Sequence, residues 1–481
     1  MRFWKKPTPE QVERAISLLA YVEHHRYFFD RLENPEWLEP LREQGFFKHP
    51  PEPVRNEEEG TVRFPPWPEA RYLARMAKHK PELVCRIMRE MSDTENATVH
   101  VDLANAALAM PPEISAQLVE KVVKWAETPY FVLLEKLGEL IAHWARGGKT
   151  EEALRVARVL LDVLPDEQRR TPGPKDSYAL RPEPQARFDV WEYQEILQKH
   201  YPELARAAGI PALEALCDLL EKAIRLSSRL DDDEGPEDYS YIWRPAIEDH
   251  PQNLEHTLKD ALVVSVRDAA EEVIRSGKVT VKEVVEILES RRWKVFHRIA
   301  LHILRVFSEQ AADLVAARLT DSGLFEDNSM RHEYVLLLRA TCPRLPEQGQ
   351  RTILEWIDKG PEVEWFKKWR LKETGTPLSE DELAHYRELW QRDRLAWIGL
   401  EHLPADWQER YRNLVAKHGE PEHPEFPAYR GTVWVGPNSP KTAEELQAMS
   451  VEEISAFLKT WKPPENVLRE PSPEGLGRTL S

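Results

Sequence analysis

Three cysteines in 481 residues, Cys85, Cys217 and Cys342, are too few and too widely spaced for a disulfide framework or a zinc site. That usage fits a reducing, cytoplasmic compartment. No stretch approaches the roughly 20 apolar residues that span a bilayer, and the opening MRFWKK lacks the apolar run of a secretion signal. No membrane partner is expected, and Asn96-Ala97-Thr98 is discounted as a glycosylation acceptor. Glycine is scarce, at 19, against 38 prolines. Strand-rich folds with tight hairpins want more glycine. Proline suits the first turns and the ends of many short helices.

Catalytic signatures are missing as well. The chain contains no Glu-x-Lys, no His-Glu-x-x-His and no Gly-x-Ser-x-Gly, which removes the common restriction-nuclease, zinc-protease and serine-hydrolase cores. GGKT at 147–150 matches the tail of a phosphate-binding P-loop, but position 143, where the first glycine belongs, is His143. The tetrapeptide also follows a helical pattern, where a P-loop follows a strand. It reads as a helix-to-helix turn. Glu248-Asp249-His250 groups three potential ligands, but neighbours in a helix do not face one way. It is read as a helix first turn after Pro245. The acidic run 231–238 lacks the EF-hand ligand order and reads as a solvated linker. No enzyme activity, cofactor or metal is expected.

What the chain has in quantity is amphipathic helix. Hydrophobic residues are 41% and charged residues 31%, a folded, soluble composition. The net charge of −17 (66 basic against 83 acidic residues) disfavours non-specific binding to nucleic acid. Tyr130, Leu133, Leu134, Leu137, Ile141 and Trp144 recur three or four apart, the apolar stripe of one helix. Gly147-Gly148 ends it, and Thr150 caps a second helix carrying Ala153, Ala157, Leu161 and Leu164. Such a pair buries its apolar face only by stacking on a neighbour. The 16 tryptophans are read as packing anchors between helices rather than exposed binding anchors.

The same rule extends along the chain. Thr8 with Gln11, Thr280 with Glu283, Ser379 with Glu382, Thr442 with Glu445 and Ser450 with Glu453 are capping boxes. Ile114, Leu118, Val122 and Trp125 predict one further helix, and Leu254 to Ala269 a long one ending at Gly277. Residues 48–68 and 165–186 are proline-rich connections, and Thr432 to Val435 is the best strand candidate. The expected fold is all-α: an α-solenoid of antiparallel helix pairs, HEAT- or TPR-like, in two arrays. The divisions are an N-terminal helical segment over 1–47, a first array over 64–164, a helical connector over 186–230, a second array over 239–418, and a C-terminal extended segment with short helices over 419–481. The closing PSPEGLGRTLS reads as a helix start cut short, as in a piece of a longer protein.

Two stretches interleave basic and aromatic residues: Arg291, Arg292, Trp293, Lys294 with Arg298, and Lys367, Lys368, Trp369, Arg370 with Lys372. Exposed, they would hold a phosphate backbone and stack a base. That is the alternative, nucleic-acid reading; solvated charges beside core tryptophans is the plainer one.

The stretches YFFDRLENPEWLEPLREQGFF at 27–47, IWRPAIEDHPQN at 242–253, VFHRIALHILRVF at 295–307, ILEWIDKGP at 353–361 and EELQAMSVEEISAFLKTW at 444–461 together resemble the HEAT-like or TPR-like helical regions of large bacterial proteins. Some of those carry an NTPase of the NACHT or related STAND type, or another effector, and some are linked to anti-phage defence. The resemblance implies a sensing or scaffolding module that binds a protein partner or controls an attached effector. It carries no catalytic residue over, because no effector motif is present.

Overall fold

The computed structural model describes residues 4–19, 21–166, 183–227, 238–253, 257–374, 376–429, 439–441, 443–462, 476 and 479. They are mostly helical, with two short two-stranded ladders. Residues 1–427 form one compact unit and 428–481 another. Among the described residues no helix is long and apolar enough to cross a membrane.

Local chemistry sets many helix starts. Thr8 accepts the Gln11 N–H while the Gln11 side chain accepts the Thr8 N–H. The reciprocal pattern recurs at Thr280 and Glu283, at Ser379 and Glu382, and at Ser450 and Glu453. A further box, Thr257 with Asp260, starts the helix Leu258–Arg275. Each satisfies two N–H groups that the first turn leaves without partners. Asn34 caps the 3₁₀ turn Pro35–Trp37, and Asn96 caps Ala97–Leu108. Thr442 and the strand candidate 432–435 lie outside the described residues, as do Leu254 and most of the acidic run.

The first unit is built by succession. Pro68–Met76 packs on Ala97–Leu108, which packs on Phe131–Arg146, which packs on Tyr201–Ala208, then Leu258–Arg275, Lys294–Val306, Arg331–Thr341 and Glu380–Ile398. Intervening helices join the same row: Thr150–Leu160 on Phe131–Arg146, Ile210–Ser227 on Leu258–Arg275, and Val281–Glu289 on Lys294–Val306. One apolar core runs through all of them. Trp144, Trp397, Tyr72 and Tyr193 are among its largest enclosed side chains. Trp191, at 62% exposed, breaks the expectation that tryptophans are packing anchors.

Several expectations need correction. Residues 48–68 are not wholly irregular, since Val54–Asn56 pairs antiparallel with Thr61–Arg63. Ile114 to Trp125 is not one helix: Pro112–Ser115 runs into a 3₁₀ turn, Ala116–Leu118, before Val119–Glu127. Thr150 is the first helical residue rather than the cap; Lys149 holds that position without a side-chain bond. The helix ends at Leu160, and Val163–Leu164 pairs with Gln185–Ala186 instead. Residues 244–245 and 247–249 form bends, and 245–250 contain no helix first turn.

The GGKT turn is explained by packing. A Cβ on Gly147 would lie 2.2 Å from Pro112 Cβ, so only glycine admits that approach. Gly148 has φ +74°, in the left-handed region that glycine tolerates. The Lys149 N–H then returns to the Trp144 carbonyl at 2.8 Å, closing the helix end.

Candidate functional site

The first basic-aromatic stretch is mostly engaged within the fold. Arg291 is held by Asp218 at 2.6 Å and Glu221 at 3.1 Å. Lys294 Nζ binds Asp327 at 2.8 Å and Ser329 at 2.9 Å. Trp293 is buried, and Arg298 is fully enclosed at 0% exposure. Arg292 alone is exposed, with its guanidinium 5.3 Å from the Trp293 ring centroid. The acids that neutralise the set lie 33 to 73 residues away in sequence, which is why the stretch looked unopposed.

The second stretch lies on the helix Val363–Thr374. Lys367 pairs with Glu364 at 3.1 Å and Arg370 with Glu382 at 3.3 Å. Lys368 and Lys372 are exposed; the side chain of Trp369 lies outside the described ones. Two lysines one turn apart are a weaker footprint than the five residues expected.

Arg298 leads instead to a buried charge network. Its Nε donates to Glu333 Oε2 at 2.7 Å and its Nη2 to Glu333 Oε1 at 2.9 Å, a bidentate pair. Nη1 and Nη2 also donate to the Arg244 and Pro245 carbonyls at 2.7 and 2.9 Å. Glu333 Oε1 accepts the Ile247 N–H at 2.9 Å. Arg267 donates to the Ile247 carbonyl at 3.1 Å and to Asp249 at 3.0 Å. Glu248 lies 3.7 Å from His332 and accepts from Arg305, and these two neighbours hold its carboxyl down to about 2. The network clamps the irregular segment 244–249 onto the helices Lys294–Val306 and Arg331–Thr341. Most of its charges are engaged with one another, as in a structural clamp.

The open chemistry lies elsewhere, in a cleft of about 880 Å³ whose lining includes Arg55, Asp93, His100, Lys124, Trp125 and Tyr130. Asn96 Nδ2 fixes the base of the 54–63 hairpin beside it, donating to the Pro51 carbonyl at 3.1 Å and the Pro65 carbonyl at 2.8 Å. Arg55 pairs with Glu95 at 2.6 Å across the entrance. Asp93 accepts from Lys121 at 2.8 Å and Lys124 at 2.6 Å, which lowers it to about 2. Phe64 meets Tyr130 edge-on at 4.6 Å, and the adjoining Phe131 is 78% exposed. The sequence hid this site because its residues come from separate segments.

His100 stacks on Trp125 at 5.1 Å, and its Nε2 lies 2.8 Å from the Thr94 carbonyl. Burial pushes it down from 6.5 to about 4, against the pull of that carbonyl. Between those two pH values the unfolded chain takes up a proton here that the folded chain refuses. Stability is therefore expected to fall as pH drops through that window, by at most roughly 3 kcal/mol from this residue. Urea midpoints measured from pH 7 to pH 4 test this: His100→Gln, which keeps an N–H for Thr94, should flatten the dependence. An unchanged slope would refute the assignment.

Among the described residues no three His, Cys, Asp or Glu side chains converge to hold a metal ion. The cysteines are free and buried, and burial raises Cys217 to about 12 and Cys342 to about 11, the opposite of an activated thiol. Comparison with protein families, curated proteins and solved structures finds no match to this chain.

Proposed function

We propose that this chain is a non-catalytic helical-repeat scaffold, an α-solenoid of the HEAT or TPR kind, that holds an extended segment of a protein partner in the cleft beside the 54–63 hairpin. The observation that carries the reading is the cleft itself: about 880 Å³, of mixed charge, with Trp125 and Tyr130 in its lining. Peptide grooves combine these features, with aromatic anchors giving affinity and charged rims giving register. The unbroken succession of packed helices supports the solenoid half of the reading. An effector or its regulator as the partner rests on the resemblance of the quoted stretches alone.

The test is affinity capture from extract of the source cells with the full chain, with Tyr130→Ala/Phe131→Asp, and with Val451→Asp as a control at another exposed apolar residue. One partner retained by wild type and control, and reduced at least about tenfold by the cleft variant, is the expected result. Equal retention by all three, or no retained partner at all, would reject the reading.

A further inference from the structure

The helix Ala405–His418 ends at Gly419, and the chain continues without helix or strand to Pro427. This strap is held by side chains that grip its backbone. Trp397 Nε1 donates to the Pro424 carbonyl at 2.8 Å, Arg331 Nη1 to the Phe426 carbonyl at 3.4 Å, and Arg392 Nη1 to the Gly419 carbonyl at 3.0 Å. One strap side chain is enclosed: Phe426, 5% exposed, stacks on His332 at 4.1 Å and lies 5.0 Å from His250. Donors to carbonyls plus one aromatic socket is how proteins read an extended peptide.

Two features separate this contact from ordinary chain packing. His423 in the strap has φ +48°, a left-handed conformation uncommon outside glycine. Beneath the strap, Arg331 Nε is enclosed without a hydrogen-bond partner among the described residues, and His332, 4% exposed, has the Glu248 carboxylate 3.7 Å from its Nε2. A groove fully fitted to its occupant leaves few such atoms. The strap carries Glu420, Glu422 and Glu425. The side chains around it include Arg331, Arg392, His250 and His332, of which Arg392 also binds Asp393 and His332 lies beside Glu248. Glu420 is already received by the Tyr411 hydroxyl at 2.9 Å.

We propose that the groove over the start of Arg331–Thr341 and the end of Glu380–Ile398 is a recognition site for an acidic, extended peptide segment bearing an aromatic residue, and that residues 420–427 fill it in cis as an exchangeable plug. The competing ligand is a partner's segment of the same chemistry: a phenylalanine flanked by prolines and carboxylates. A tethered occupant acts at an effective concentration in the millimolar range, so a partner must outbind the plug or find it released.

The probe is a labelled synthetic peptide of residues 419–429, GEPEHPEFPAY, titrated into the full chain by fluorescence anisotropy. Phe426→Ala should bind it saturably, at least about tenfold more tightly than wild type does, because the cis competitor is weakened. A peptide with alanine in place of the phenylalanine should not bind, and adding His332→Ala to the chain should abolish binding. Trp397→Phe in the same background keeps the ring, loses the N–H donor and should weaken binding severalfold. Far-UV circular dichroism checks that the variants fold; if Phe426→Ala does not, Phe426→Leu is judged by a threefold criterion instead. No saturable binding to a folded variant, or equal affinity for variant and wild type, overturns the proposal. Dimerisation of wild type that the peptide blocks would assign the groove to a second copy and overturn the partner reading.

Discussion

Glu333→Ala is expected to destabilise the protein by about 3–5 kcal/mol, because it strands the Arg298 charge where water does not reach. Arg298 is 0% exposed and Glu333 3% exposed. The glutamate's desolvation works against its ionisation, but the bidentate guanidinium outweighs it and keeps the carboxyl below its ordinary range. The variant also orphans the Ile247 N–H, which has its acceptor in Glu333. Domains of ordinary stability have about 5–15 kcal/mol to lose, so the change takes a large share. Urea unfolding followed by circular dichroism measures it. The double variant Arg298→Met/Glu333→Leu separates the pair's net worth from the penalty of breaking it. Replacing both charges with apolar groups of similar size should restore much of the loss, short of full recovery, since the Arg244 and Pro245 carbonyls lose their donor. A single-variant loss below about 1 kcal/mol would mean that water or another group reaches Arg298.

That network also marks where the sequence stops being informative. Thr8 with Gln11 and Thr280 with Glu283 were legible because cap and partner sit three residues apart and the chemistry closes within one turn. Thr257 with Asp260 works the same way but carries aspartate in place of the usual glutamate or glutamine, so the pattern passed over it. Glu248-Asp249-His250 was misread as a helix first turn because what fixes it comes from far along the chain: Arg305 is 57 residues away from Glu248, and the Glu333 that binds Ile247 is 86 away from it. Contacts of that separation leave no periodicity to read. The same limit hid the cleft, whose walls come from the hairpin and from several helix ends. It also made Arg291 to Arg298 look like a basic patch, since Asp218, Asp327 and Glu333 meet it only in the folded chain. Helix type and apolar stripes were readable, and so was the packing of Phe131–Arg146 on Thr150–Leu160; which charges face solvent was not.

Trp144→Ala carries the second large expected effect, about 3–5 kcal/mol, and it tests the helix pair that sets the rule of construction. Trp144 is 0% exposed, on the helix Phe131–Arg146, and its Nε1 donates to Ser115 Oγ at 2.9 Å. Ser115 is itself at 0% exposure, so truncation opens a cavity the size of an indole and leaves a hydroxyl without its donor. Two controls divide the terms. Trp144→Phe keeps most of the ring volume and loses the N–H, so it should cost about 1–3 kcal/mol. Trp144→Phe/Ser115→Ala removes both polar partners and should regain some of that loss, because no buried hydroxyl then lacks a bond. Gly147→Ala attacks the same joint from outside, since its Cβ meets Pro112 at 2.2 Å, a separation that real side chains do not adopt. Pro112 opens the short helix that carries Ser115, so both changes strain one contact between the turn at 147–149 and the segment 112–115. Their combined loss should therefore fall short of the sum of the single losses by more than about 0.5 kcal/mol, as coupled neighbours do. Strict additivity, or a Trp144→Ala loss below about 1 kcal/mol, would show that this pair is held by something other than the tryptophan.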